Sequence, residues 1–171
     1  NIVQGNACRL DWEEVCPKNE GDETYVLGNP PYLGFKMQDK GQKEDISIVF
    51  SGIKGYKKLD YISCWFMNAS KYIKDSISQY CFVSTNSICQ GEHASLLWPN
   101  LFNLNNEISF AYTTFKWSNN AKAKAAVFCC IVGVRNYSRK PKYLYNLNNL
   151  RQVDSINAYL SPSKSSIVFK R

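Results

Sequence analysis

Seven consecutive residues, Gly28-Asn29-Pro30-Pro31-Tyr32-Leu33-Gly34, could do chemistry together. Each proline fixes its own φ and pushes the residue before it out of the helical region. The Asn-Pro-Pro backbone is therefore stiff and extended. It can turn the Asn29 side-chain carbonyl and the Pro30 backbone carbonyl toward one point. Two converging acceptors suit an amino group with two hydrogens, and Tyr32 adds an aromatic face beside it. The exocyclic amine of a base turned out of its stack has these needs. A proline turn with a packed tyrosine would use the same residues. The context favours the first reading. The apolar run Tyr25-Val26-Leu27 leads into the motif, glycines flank it, and open α/β sheets bind ligands at the carboxyl ends of their strands.

Several elements must position this motif. Tyr25 to Leu27 reads as a short strand stopped by Gly28 and two prolines. Ile2-Val3 could end an earlier strand. Residues 34–58 are Lys-, Gly- and Asp-rich with weak periodicity, which predicts a long surface loop, a rare feature that suggests function. From Leu59 the apolar residues Ile62, Trp65, Phe66, Ala69, Tyr72 and Ile73 recur at three- and four-residue steps. That spacing predicts an amphipathic helix of about four turns. Tyr80 to Ser84 reads as a strand, Thr85-Asn86-Ser87 as a turn, and Glu92 to Leu101 as a short helix ending near Pro99. Ile108, Phe110 and Tyr112 alternate as on a half-buried strand. Ala125 to Val134 is an apolar run suited to a buried one. The polar segment between them, Ser118 to Lys124, suits a hairpin. The order strand, helix, strand, helix and two strands predicts an α/β fold, mostly parallel with an antiparallel terminal hairpin. The polar tail from Asn136 reads as a connection leading away from the domain.

Composition narrows the function classes. The 171 residues fit one domain or a piece of one. At 44% hydrophobic and 20% charged, the chain has the apolar content that a disordered chain lacks. No apolar run approaches the roughly 20 residues of a membrane helix, and the opening residues carry no signal-peptide pattern. Seven cysteines, an odd number with no Cys-x-x-Cys pair, argue against a disulfide framework or a zinc site. They suit a reducing cytoplasm. The single histidine, His93, leaves little room for a catalytic triad or a two-His metal centre, and reads as a polar residue opening a helix.

Charge is unevenly placed. Residues 1–107 carry 10 Lys+Arg and 13 Asp+Glu, a net of −3, whereas residues 108–171 carry 11 and 1, a net of +10. Between Ile108 and Val153 there is no acidic residue, and Lys116, Lys122, Lys124, Arg135 and Lys142 alternate with Tyr112, Phe115, Trp117 and Tyr145. A basic half with interleaved aromatics suits a polyanion that offers stackable bases. A solvated lysine-rich face has the same composition.

Asn29-Pro30-Pro31-Tyr32 resembles motif IV of the S-adenosylmethionine-dependent amino-methyltransferases. The wider chain resembles the N6-adenine DNA methyltransferases of the gamma arrangement, in the branch of the bifunctional type IIL-like restriction-modification enzymes. The matching stretches are Gly5-Asn6-Ala7 with Leu10-Asp11-Trp12, then Val26 to Gly34, then the helix from Leu59. After these come Ser84-Thr85-Asn86-Ser87-Ile88 with Gln90-Gly91-Glu92, then Phe115-Lys116-Trp117 with Ala125 to Gly133, and finally Ile156-Asn157-Ala158-Tyr159-Leu160. They keep the family's order and span nearly the whole chain.

The resemblance implies a fold, a reaction and a set of roles. The fold would be the C-terminal half of a Rossmann-like class I methyltransferase sheet. Residues 1–135 would be a partial catalytic domain and residues 136–171 a connection toward target recognition. Asn29 and Pro30 would accept from the adenine N6 amine, with Pro31 stiffening the turn. Tyr32 would stack on the flipped base, and Phe115 or Trp117 would cover its other face. Asn6, where many relatives carry Asp, and the Ala7 backbone would approach the cofactor's adenine, with Asn29 also at the cofactor. Lys116, Lys122 and Lys124 would meet double-stranded DNA. S-adenosylmethionine would be the cofactor, in a pocket incomplete here, and methyl transfer would need no metal. The family's Gly-rich cofactor loop would precede Asn1, so the chain is expected to be a fragment that is inactive by itself. Its partners would be the rest of the parent polypeptide, in a bacterial cytoplasm and away from any membrane. An RNA base or a protein glutamine as acceptor, or a non-catalytic DNA-binding role, are the alternatives.

Overall fold

A computed structural model describes residues 2–117, 127–146 and 149–163. Their strands are β1 (Tyr25–Gly28), β2 (Gln79–Thr85), β3 (Asn106–Trp117), β4 (Val127–Asn136), β5 (Lys142–Asn146) and β6 (Asn149–Val153). The α-helices are α1 (Trp12–Val15), α2 (Lys40–Val49), α3 (Ser63–Tyr72) and α4 (Gly91–Phe102). The strands form one sheet in the order β1-β2-β4-β3-β5-β6. β1 pairs with β2, and β3 with β5, in parallel; the other three pairings are antiparallel. Four strands thus share one direction, and β4 and β6 oppose them. β3 and β4 make the expected hairpin, in register from Asn106 opposite Asn136 to Trp117 opposite Val127.

Side chains alternate across a strand. On β2, Tyr80, Phe82 and Ser84 are buried while Gln79, Cys81, Val83 and Thr85 are half-buried. The buried face continues through Val132 and Val134 of β4 and Ile108 of β3. Helices α3 and α4 close it. The Phe66 ring sits edge-on to Tyr80 at 5.8 Å, Phe82 at 5.3 Å and Trp98 at 5.9 Å. On the opposite face the Phe110 ring covers Gly133, where a Cβ would lie 2.1 Å from the ring. Only glycine admits that approach without moving the aromatic.

Several expectations are corrected by the structure. Ile2 and Val3 lie in no strand and are exposed. Residues 34–58 are not one long loop, for they contain α2. Asp39 caps it through a reciprocal capping box with Gln42, which satisfies two orphan amides. Its few apolar residues and the buried Asp45 conceal the helical period. α3 starts four residues later than Leu59, after a tight turn in which Ser63 N–H donates to the Asp60 carbonyl at 3.0 Å. Leu59 and Ile62 are fully buried all the same, so the apolar spacing reports packing rather than helix length. Pro99 lies inside α4 rather than ending it. Burial of Trp98 and Leu101 outweighs the one bond proline cannot donate.

The described part of the tail also joins the sheet and core. β5 and β6 extend the sheet, and Ile156, Ala158 and Leu160 are buried. Polar residues conceal this because β6 has one half-buried position, Val153, and four exposed ones. Two cations of the basic half are spent internally. Arg135 Nε reaches Glu107 Oε1 at 2.9 Å, and Lys142 Nζ reaches Glu107 Oε2 at 3.0 Å. The acid-free stretch is therefore less available to a polyanion than its sequence suggests.

Candidate active site at the end of the first strand

β1 delivers the Asn-Pro-Pro-Tyr segment to the carboxyl end of the sheet, beside Phe82 of the parallel neighbour β2. Pro30 is buried, Asn29 and Pro31 are exposed, and Tyr32 is half-buried. The backbone is thus anchored by one proline while the Asn29 amide faces outward. The Tyr32 hydroxyl donates to Asn29 Oδ1. Burial and the neighbouring Cys129 push this hydroxyl up to about 12. It is therefore a neutral donor at physiological pH, and it occupies the acceptor that the sequence reading assigns to a substrate amine.

Cys129 connects this loop to the hairpin. It pairs with Thr85 of β2 on one side and with Phe115 of β3 on the other. Phe115 is half-buried one strand from the residue that meets Tyr32. Trp117 is 42% exposed at the strand end, its ring 6.3 Å from that of Phe115. Lys116 is exposed beside them. Lys122 and Lys124 lie outside the described residues.

A cavity of about 660 Å³ opens beside β1. Ala7, Trp12, Val26, Asn29, Pro30 and Phe82 are among the residues that line it. Ala7 and Asn29 both line this cavity, but the Ala7 carbonyl is taken by Trp12 Nε1 at 2.8 Å and Asn68 Nδ2 at 3.3 Å. Asn6 does not line this cavity.

Other residues hold the loop that follows the motif, and sequence reading missed them. Gln38 is buried and bridges the Leu33 carbonyl (3.2 Å) and the Leu59 carbonyl (3.0 Å). Tyr61 N–H also donates to the Leu33 carbonyl at 2.9 Å. Asp60 accepts from Ser87 Oγ at 2.7 Å, lies 3.4 Å from His93 Nδ1, and bonds the Phe35 backbone. Burial works to raise the Asp60 pKa, but bonds to His93, Ser87 and Phe35 outweigh it and hold the carboxyl below its usual range. His93 does sit in the first turn of α4, and its Nε2 meets Ser63 Oγ at 2.8 Å. This is no nucleophile triad, because Ser63 is fully buried. Asp60, Ser63 and His93 fasten α3, α4 and the loop after Tyr32 to one another. No local spacing announces the arrangement, since Phe35, Asp60, Ser87 and His93 come from separate stretches of the chain.

Among the described residues, no group of three or more His, Cys, Asp or Glu could hold a metal ion. No helix among them is long and apolar enough to cross a membrane.

The chain is 46% identical over 172 residues to DNA methyltransferase A of Bacillus subtilis (strain 168), covering 100% of this chain and 20% of that protein. It also matches the structure of the type IIL restriction-modification enzyme MmeI in complex with DNA, with a TM-score of 0.90 and 37% identity, over 99% of this chain and 23% of that one. The chain thus spans about a fifth of the curated relative's length. The family described as MmeI, DNA-methyltransferase domain, matches residues 1–146, and the chain belongs to that family.

Proposed function

We propose that this chain is the base-holding part of an enzyme that methylates N6 of an adenine turned out of double-stranded DNA, within a restriction-modification system. One observation carries the reading. An outward-facing Asn29 carbonyl sits on a proline-anchored strand end, with an aromatic hydroxyl already donating to it. A donor in that place stands where a substrate amine would bind. The adjoining cavity has the size and mostly apolar wall of a small-molecule site, which fits a nucleoside-sized cofactor such as S-adenosylmethionine. That cofactor, when bound, supplies an electrophilic methyl on a sulfonium sulfur.

The chain's own residues do the rest. The adenine amine is a poor nucleophile because its lone pair is delocalised into the ring. Hydrogen bonds from its two protons to Asn29 Oδ1 and the Pro30 carbonyl favour a more pyramidal nitrogen. The rate then comes from alignment and fixed dipoles. After transfer, N6 sheds one proton, which passes from the bond at Asn29 Oδ1 to water. Tyr32 gives up Asn29 and lays its ring on the base. Phe115 covers the other face, with Trp117 at the rim. Lys116, Lys122 and Lys124 contact phosphates. Ala7 and Asn29 border the cofactor.

The test uses the parent polypeptide with labelled S-adenosylmethionine and duplex DNA, digestion, and mass spectrometry of the nucleosides. N6-methyladenine is expected. A methylated cytosine, or label on protein or RNA alone, would overturn the reading.

Tyr32 has a separable prediction. Tyr32→Phe removes the hydroxyl that occupies Asn29 and keeps the ring, so single-turnover methylation should stay within about threefold. Tyr32→Ala loses stacking worth about 1–3 kcal/mol per base and should lower kcat/KM roughly ten- to a hundredfold. Equal losses in the two variants would mean that the hydroxyl, not the ring, matters.

A further inference from the structure

Asn6 is exposed on one side, yet neither end of its amide is free. Nδ2 donates to Asp45 Oδ2 at 2.8 Å, and Oδ1 accepts from Cys8 N–H at 2.9 Å. The Asn6 backbone carbonyl accepts from Arg9 N–H at 2.8 Å and Leu10 N–H at 3.0 Å. Asn6 is thus the organiser of the turn through Leu10, and that turn sets Ala7 against the cavity wall.

The other end of this arrangement is Asp45 of α2, which is 3% exposed. Besides Asn6 it accepts from Tyr61 Oη at 2.6 Å and Arg9 Nε at 2.6 Å. Arg9 also reaches Glu44 at 3.1 Å. Burial works to raise the Asp45 pKa, but bonds to Tyr61, Asn6 and Arg9 outweigh it and hold the carboxyl below its usual range. Asp45 is a buried carboxylate supplied with three donors, and buried charges need such partners. An aspartate at position 6 would set a second carboxylate oxygen about 2.8 Å from it with no hydrogen between, which two like charges do not tolerate.

We propose that Asp45 is a positioning residue for the cofactor wall, and that Asn6 acts as its amide partner rather than as a ligand to the cofactor. This rests on the reading of the cavity beside Ala7 as the cofactor site. It accounts for asparagine at position 6 in this chain, since the acid of the pair sits on α2 and needs a donor opposite it. It also makes a polarity-reversed pair equivalent. When Asn6→Asp and Asp45→Asn are combined, the pair still holds one acid and one amide. The amide, now on α2, would donate to the acid in the turn and to the Tyr61 oxygen. A hydroxyl can turn from donor to acceptor, and Arg9 would keep an acceptor in the amide carbonyl.

The test uses the full parent polypeptide carrying Asn6→Asp, Asp45→Asn, or both. The readouts are binding of S-adenosylhomocysteine by calorimetry, DNA affinity, and the thermal midpoint. Asn6→Asp and Asp45→Asn should each weaken S-adenosylhomocysteine binding about ten- to a hundredfold, the scale of losing a hydrogen bond to a charged group. The double variant should return within about threefold of the unmodified protein, with DNA affinity unchanged throughout. Asp45→Asn is the informative variant if Asn6→Asp does not fold, because Asp45 is buried and does not line the cavity. Unchanged binding in Asp45→Asn, or a double variant as weak as Asn6→Asp, would overturn the proposal. If the unmodified protein does not bind S-adenosylhomocysteine, the cofactor reading itself fails. A recovered thermal midpoint in the double variant would then show a pair that braces the fold only.

Discussion

Asn29→Ala in the parent polypeptide is expected to lower the methyl-transfer rate by about two to three orders of magnitude while DNA affinity stays within a few-fold. The scale is that of losing one preorganised partner of the reacting group. Asn29 is exposed, so truncation removes a hydrogen-bonding group without opening a cavity in the core. Affinity is spared because phosphate contacts supply most of it. Two side observations separate the acceptor role from a structural one. Asn29→Asp keeps acceptor oxygens on the same stem and should retain more turnover than Asn29→Ala. The thermal midpoint should barely move in either. Single-turnover rates with duplex DNA make the measurement, and full turnover in Asn29→Ala would remove Asn29 from the chemistry.

Trp98→Ala should produce the largest loss of stability, about 3–5 kcal/mol on the scale of buried aromatic truncations. Trp98 is fully buried on α4. Its ring meets Phe66 at 5.9 Å and Phe102 at 5.7 Å. Its Nε1–H donates to the Ile88 carbonyl at 2.8 Å. Truncation leaves both a cavity and an unpaired buried carbonyl, and the two costs add. The effect reaches the site because Ile88 lies in the short 3-10 turn Asn86–Cys89. Ser87 of that turn donates to Asp60, which holds the loop after Tyr32. Hydrogen exchange of the α4 and β2 amides reads the loss locally. Trp98→Phe keeps much of the packing but not the bond, and should lose less. Unchanged exchange in Trp98→Ala would mean that α4 is held by other contacts.

What the sequence determined by itself was local. Prolines act on their own φ and on the preceding residue, so the stiff turn at Asn29-Pro30-Pro31 was legible without knowing any partner. So were β2 and the β3–β4 hairpin, because short apolar runs and the alternation of Ile108, Phe110 and Tyr112 are written into consecutive residues. What needed the tertiary structure was everything made of long-range partners. α2 was hidden because its buried residues include an acid, Asp45, which becomes tolerable only when Asn6, Arg9 and Tyr61 converge on it from two other segments. The tail beyond Asn136 looked like a departing connection because an edge strand keeps polar side chains in water. Lys142 looked free for a polyanion until Glu107 met it across the sheet. The availability of Asn29 was likewise a matter of folding. Residue types name an acceptor, but only the folded loop puts the Tyr32 hydroxyl on it. Hydrogen bonds and ion pairs between distant segments depend on where the chain returns, and no spacing along one sequence encodes that return.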